Sequence, residues 1–328
     1  MRDPEFLLIY NLIFSAITKD GRDELFGKRP EAECDVFSKS YAGGGFPEIW
    51  FELPLLGEPW YDLHVLTSRS ALDDRTELPE GIFHPGLFRW FSKHDGVRQL
   101  AMSHDLSKGV YDDPAAQLLV TVKDPSVGCS FLEEAGNHSA VFAYNSFVNS
   151  IPENWFACYL GTFPGRDDVN LRVECIPSQS LQDLYASDTG ILRDDLARTG
   201  LVLNDGMLGF ISFMAKQPVS IEFQFNVNAD GSAAPILGVS LRYQIPIPRF
   251  ANKAFTEDNE NIISLMNALS DAGLCDDRWR LLPGCAFMNR LKFQDASIRF
   301  GGYTSFIKVR MTCDRLIDAK TYIVANVI

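Results

Sequence analysis

Apolar and polar residues alternate along most of this chain, in paired segments separated by stretches of helical pattern. In EIWFEL, Glu48, Trp50 and Glu52 fall on one side of a strand and Ile49, Phe51 and Leu53 on the other. WYDLHVL sets Trp60, Asp62 and His64 against Tyr61, Leu63 and Val65. Gln117, Thr121 and Lys123 share a face in QLLVTVK, and Asn170, Arg172 and Glu174 share one in NLRVE. Ser220, Glu222, Gln224 and Asn226 oppose Ile221, Phe223 and Phe225, while Gly238, Ser240, Arg242 and Gln244 oppose Leu237, Val239 and Leu241. In SFIKVRMT, Lys308 and Arg310 alternate with Ile307, Val309 and Met311, and Lys320 and Tyr322 share a face in the last strand. A period of two with one aliphatic face marks a half-buried strand.

Between these pairs the pattern predicts helices from Glu5 to about Lys19, near Asp23–Phe26, around HPGLFRWFSKH, at about Ser139–Asn149, at Ser180–Thr199, at Gly206–Lys216 and at Asn259–Ala272, the last stopped by Gly273. The Asp-Gly of NADGSAA signals a hairpin, and FGGYTS reads as a flexible bend between ASIRF and SFIKVRMT. RQLAMSHD and AQLLVTVKD make a less clear strand pair. Strands joined by tight turns are antiparallel, and a sheet of about ten such strands must curl, split or close. Two architectures fit: an open sheet with one wetted face, or a closed barrel with helices outside and polar faces lining a lumen. The second is favoured by tryptophan, tyrosine, glycine and serine on the polar faces, and by helices recurring between hairpins. The expected fold class is α+β, a single domain over residues 1–328 built as an antiparallel barrel wrapped by helices.

Composition changes the picture in one respect. The chain has 30 Lys+Arg against 43 Asp+Glu, a net charge of −13, which argues against nucleic acid or an anionic membrane as partner. On so acidic a chain, Lys123, Arg172, Arg242, Arg299, Lys308, Arg310 and Lys320 are a concentrated share of the cations. Pooled in a lumen they would repel one another, and would require either a polyanion or the facing Glu48, Glu52, Asp62, Glu174 and Glu222. Seven cysteines without a CxxC pair fit a reducing compartment. FLLIYNLIF is too short to span a bilayer, so a cytoplasmic protein is expected.

With these faces assigned, the chain resembles the ABBA-type aromatic prenyltransferases. Lys320-x-Tyr322 is similar to that family's Lys-x-Tyr strand pair, Lys308-x-Arg310 to its paired cations, and PEIWFELPL lies where the family carries an early-strand glutamate. Arg172 and Arg242 depart from the pattern, having Glu174 and Gln244 two positions on instead of tyrosine. The resemblance implies a ten-stranded barrel built from α-β-β-α units. It implies a diphosphate held by the seven cations above, and Glu52, or failing that Glu48, as proton acceptor. Trp50, Trp60, His64 and Tyr322 would line the pocket that shields an allylic cation. The partners would be a prenyl diphosphate and an aromatic or peptide acceptor. No resident cofactor is required, Mg2+ being an option only as the diphosphate's counter-ion.

Other signals are weaker. DDRTE, Asp73–Glu77, resembles an acidic metal motif but reads as a surface turn. His84, His94 and His104 are ten apart, which suits no ligand set on one element, so no metal site is expected. Glu48, Glu52 and Asp62 could form a glycosidase carboxylate pair, an option the facing cations disfavour. The rival from another class is a non-catalytic barrel that binds an anionic or amphipathic ligand or serves as an interaction module.

Overall fold

The computed structural model describes residues 6–28, 48–68, 84–106, 114–120, 124–163, 171–217, 220–242, 259–293 and 296–327. DDRTE and Lys123 lie outside these residues. The elements in chain order are α1 (Phe6–Ile17), β1 (Glu48–Pro54), β2 (Asp62–Ser68), α2 (Pro85–Phe91), β3 (Val97–His104), β4 (Ala115–Val120), α3 (Pro125–Glu134), α4 (Ala140–Ser150), β5 (Trp155–Thr162) and β6 (Leu171–Pro177). They continue with α5 (Gln179–Tyr185), α6 (Thr189–Arg198), α7 (Asp205–Ala215), β7 (Ser220–Val227), β8 (Ala233–Arg242), α8 (Glu260–Asp271), β9 (Phe287–Phe293), β10 (Ala296–Met311) and β11 (Leu316–Val327).

All strand pairings are antiparallel, and the order β11-β1-β2-β3-β4-β5-β6-β7-β8-β10 returns on itself because β11 also pairs with β10. Ten strands therefore form a closed ring, which leaves no open edge among them. The eleventh, β9, stands outside the ring and pairs with the first half of β10. This is the barrel that the resemblance implies.

Strand alternation decides which face is outside. Phe51, Leu63, Val173, Phe223, Val239, Ile307 and Ile323 are all fully buried, although they point away from the lumen. They are covered by helix residues such as Tyr10 of α1, Phe131 of α3, Phe147 of α4, Ile211 of α7 and Leu265 of α8, which belong to the same apolar cluster. Each side chain so buried contributes about 1.5–3 kcal/mol, so the helical coat is a main source of stability.

Local chemistry sets several boundaries. Asn259 accepts from the amides of Asn261 (3.1 Å) and Ile262 (3.4 Å) to start α8, and Gly273, at φ +68°, ends it as expected. The expected single helix over Ser180–Thr199 is two helices, because Asp188 accepts from the Gly190 amide at 2.8 Å and begins α6 anew. The helix α3 was not foreseen, although its start signal is plain: Asp124 caps the Ser126 amide at 2.9 Å and Pro125 occupies the first turn. FGGYTS is no bend. β10 runs through it unbroken, and a Cβ at Gly302 would lie 2.6 Å from the Phe287 ring, so the glycine admits the close approach of β9.

Candidate active site in the barrel lumen

The register carries one continuous inward face around the ring. Glu52 is opposite both Tyr322 and Asp62, and His64 is opposite both Trp50 and Ser103. Further round, Glu174 is opposite Tyr159 and Gln224, Glu222 is opposite Ser240, and Ser240 is opposite Lys308. Lys308 is in turn opposite Lys320.

Glu52 is the centre of one cluster. One carboxylate oxygen accepts from Lys320 Nζ, and the other accepts from the Tyr322 hydroxyl and lies 3.3 Å from His64 Nε2. Lys308 Nζ stands 3.9 Å away, donates to the Tyr322 hydroxyl, and reaches Gln224 Oε1 at 3.4 Å. The other ring nitrogen of His64 is 2.5 Å from Ser103 Oγ, which fixes the imidazole. Burial alone would raise the Glu52 pKa, but the Lys308 and Lys320 charges and the His64 hydrogen bond outweigh it and hold the carboxyl well below its usual range. Burial lowers Lys308 to about 8, against the pull of Glu52.

Aromatic rings wall this cluster. Phe306 stacks on Tyr322 with centroids 3.9 Å apart, and the Trp50 ring meets Phe306 edge-on at 5.6 Å. The Arg242 guanidinium lies 5.4 Å from the Phe306 centroid and 5.8 Å from that of Trp50, and Lys320 Nζ lies 4.9 Å from that of Trp60.

A second carboxylate group faces the first. Glu222 accepts a hydrogen bond from Arg242 Nη2 at 3.0 Å, and its other oxygen lies 2.7 Å from Nε in an ion pair whose geometry leaves the Nε–H without a hydrogen bond. Glu174, also buried, accepts from Ser240 Oγ at 3.4 Å. Burial, followed by the Glu222 charge, raises its pKa to about 7.

The structure thus brings Trp50, Glu52, His64, Lys308, Lys320 and Tyr322 together, with Trp60 behind Lys320 and with Arg172 and Arg242 on the inward wall. Glu48 accepts from the Trp50 indole rather than joining Glu52, and burial raises its pKa. Arg310 forks onto Asp318, and both side chains are about one-third exposed. Arg299 is exposed on the part of β10 that pairs with β9, opposite Arg290, and does not join the lumenal cations. Arg299 sits in the strand-like ASIRF, and nothing in that segment tells a ring strand from an extension. Phe306, Ser103, Gln224 and Asp318 were overlooked. Phe306 and Asp318 share the strand parity of Lys308 and Lys320, a signal the sequence does hold.

Of the two kinds of counter-charge expected for the inward cations, the facing carboxylates are in place: among the described residues Arg172, Arg242, Lys308, Arg310 and Lys320 on the inward faces meet Glu48, Glu52, Asp62, Glu174, Glu222 and Asp318.

Among the described residues no group of three or more His, Cys, Asp or Glu side chains is placed to hold a metal ion. The described cysteines are free thiols. No described helix is long and apolar enough to cross a membrane.

No protein-family model and no curated protein matches the chain. Solved structures similar to it include 6-dimethylallyltryptophan synthase from Micromonospora olivasterospora in complex with DMASPP and Trp, at 9% identity and a TM-score of 0.49, covering 92% of this chain and 93% of that one. The 5-dimethylallyltryptophan synthase from Streptomyces coelicolor is similar at 10% identity and a TM-score of 0.47, covering 96% and 89%. The apo form of the prenyltransferase PriB is similar at 12% and 0.44, covering 97% and 89%. The barrel here rests on its own strand pairings, and the site on its own side-chain contacts.

Proposed function

We propose that the lumen binds an allylic diphosphate and transfers its prenyl group to an aromatic acceptor, a small molecule or a peptide side chain. One observation carries this reading: two lysines in direct cross-strand register, the buried Lys308 and the half-buried Lys320, meet a carboxylate and an aromatic stack inside a closed barrel. Lysine and arginine stabilise a departing diphosphate through charge-assisted hydrogen bonds. The C–O bond to the diphosphate breaks, and the faces of Tyr322, Phe306 and Trp50 stabilise the allylic cation. A closed lumen keeps water from quenching it. Glu52 accepts a hydrogen bond from the acceptor's N–H or O–H and stabilises the positive charge that develops there. Its depressed pKa suits this orienting role more than retention of the proton.

The internal charge pairing favours a second reading, a barrel that closes on its own ion pairs and holds an amphipathic ligand without reaction. Incubation with dimethylallyl or geranyl diphosphate and a panel of indoles, phenols and peptides, followed by mass spectrometry, separates the two. Transfer is expected to give a product heavier by one prenyl unit, and Lys308→Ala to abolish it. No adduct with any donor, alongside an unchanged melting temperature, would overturn the transferase reading.

A further inference from the structure

We propose that Glu174 is the group that takes up a proton when a diphosphate binds in the lumen, so that its negative charge no longer opposes the anion. This rests on the diphosphate reading above. Four glutamates face the lumen, and they are held differently. Glu48 accepts from the Trp50 indole, Glu52 is bound by Lys320, Tyr322 and His64, and Glu222 is ion-paired with Arg242. Glu174 has the Ser240 hydroxyl at 3.4 Å as its hydrogen-bond donor among the described residues. It is therefore the carboxylate whose charge costs most to keep and least to remove.

Its position makes that charge matter. Arg172 lies two residues away on the same face of β6, and Gln224, opposite in register on β7, contacts Lys308 of β10. Ser240 of β8 is the register partner of both Glu222 and Lys308. From β5, Tyr159 is opposite in register, and Cys158 donates to the Glu174 backbone carbonyl at 3.5 Å. The charges acting on Glu174 are Glu222, Arg242, Lys308 and Arg172. Since carboxylates already face the lumenal cations among the described residues, an arriving diphosphate adds further negative charge. A proton moving from the buffer to Glu174 offsets one unit, removes a negative charge that would repel the anion beside Arg172, Arg242 and Lys308, and leaves an O–H able to donate to a phosphate oxygen. Poised at about 7 before the anion arrives, Glu174 can make that change near neutral pH.

The test is calorimetric titration with inorganic pyrophosphate, in buffers of different ionisation enthalpy, for the wild type and Glu174→Gln. The ratio of the two Kd values cancels the titration of pyrophosphate itself. Glutamine imitates the protonated acid, so the wild type is expected to bind about as well near pH 6 and about tenfold more weakly at about pH 8, with nearly one more proton taken up there. Equal affinities at about pH 8, or equal proton uptake, would overturn the inference and leave the diphosphate reading intact. If the variant does not fold, proton uptake by the wild type decides: none beyond that of pyrophosphate rejects the inference. Failure of both proteins to bind at any pH removes the diphosphate reading and this inference with it.

Discussion

Lys308 and Lys320 face each other directly across β10 and β11, two ammonium groups in one cross-strand pair. Like charges so placed repel. Here Glu52 bonds to Lys320, Tyr322 accepts from Lys308, and Tyr322 donates to Glu52, so a chain of three hydrogen bonds joins the two amines.

Replacing Glu52 by glutamine leaves the buried Lys308 and the half-buried Lys320 without their shared counter-ion. Stability at pH 7 is expected to fall by about 3 kcal/mol, measured by urea denaturation. The folded-state pKa of Glu52 is depressed, so its contribution is complete above the unfolded value of 4.5 and lost as pH falls through the folded value. The gap between wild type and variant should therefore narrow only in acid below 4.5, and a gap that closes near neutrality would contradict the ion-pair account.

Tyr322 offers a hydroxyl and a ring, and the two can be separated. Tyr322→Phe removes the acceptor for Lys308 and should cost about 1–3 kcal/mol while retaining most turnover. Tyr322→Leu also loses the face that stacks on Phe306 at 3.9 Å, and should lower kcat far more than the phenylalanine variant. Equal kcat in the two variants would exclude a cation-shielding ring.

Glu174 is destabilising where it is charged. Its pKa is about 7 in the folded protein against an ordinary 4.5, so the folded state binds more protons between these values and stability falls as pH rises through that window. The penalty is complete above 7, where Glu174→Gln should be more stable than wild type by up to about 3 kcal/mol. Near 4.5 the two proteins should unfold at nearly the same urea concentration.

The outward face can be tested apart from the site. Phe223 is fully buried and stacks on Trp155 with centroids 4.9 Å apart. Phe223→Ala should cost about 3–5 kcal/mol in urea denaturation. Pyrophosphate affinity per folded molecule should remain unchanged, since the side chain points away from the lumen.

Much of this architecture was legible in strand parity. Alternation puts Glu52, Lys308, Lys320 and Tyr322 on polar faces, because a one-residue slip would put Phe51 and Ile307 among charges; that those faces turn inward follows from the aromatic residues on them and the recurring helices. Arg299 shows the limit: parity names a face but cannot tell a ring strand from an extension beyond it. The pairing of Arg242 with Glu222 and of Arg310 with Asp318, 20 and 8 residues apart across consecutive strands, depends on the register within each hairpin, which alternation leaves open. The split between α5 and α6 was readable in principle, Asp188 followed by Thr189-Gly190 being a helix start inside an otherwise periodic segment.

β1 and β11 lock the ring, and the Glu52 contacts with Lys320 and Tyr322 bridge sequence separations of 268 and 270 residues across that seam. The site is thus assembled by the same event that seals the cylinder, and contacts so distant in sequence form slowly. A nascent chain lacking its final strand would display two sticky edges and leave Glu52 without Lys320 and Tyr322, so the lumenal cluster is complete only with the last act of folding.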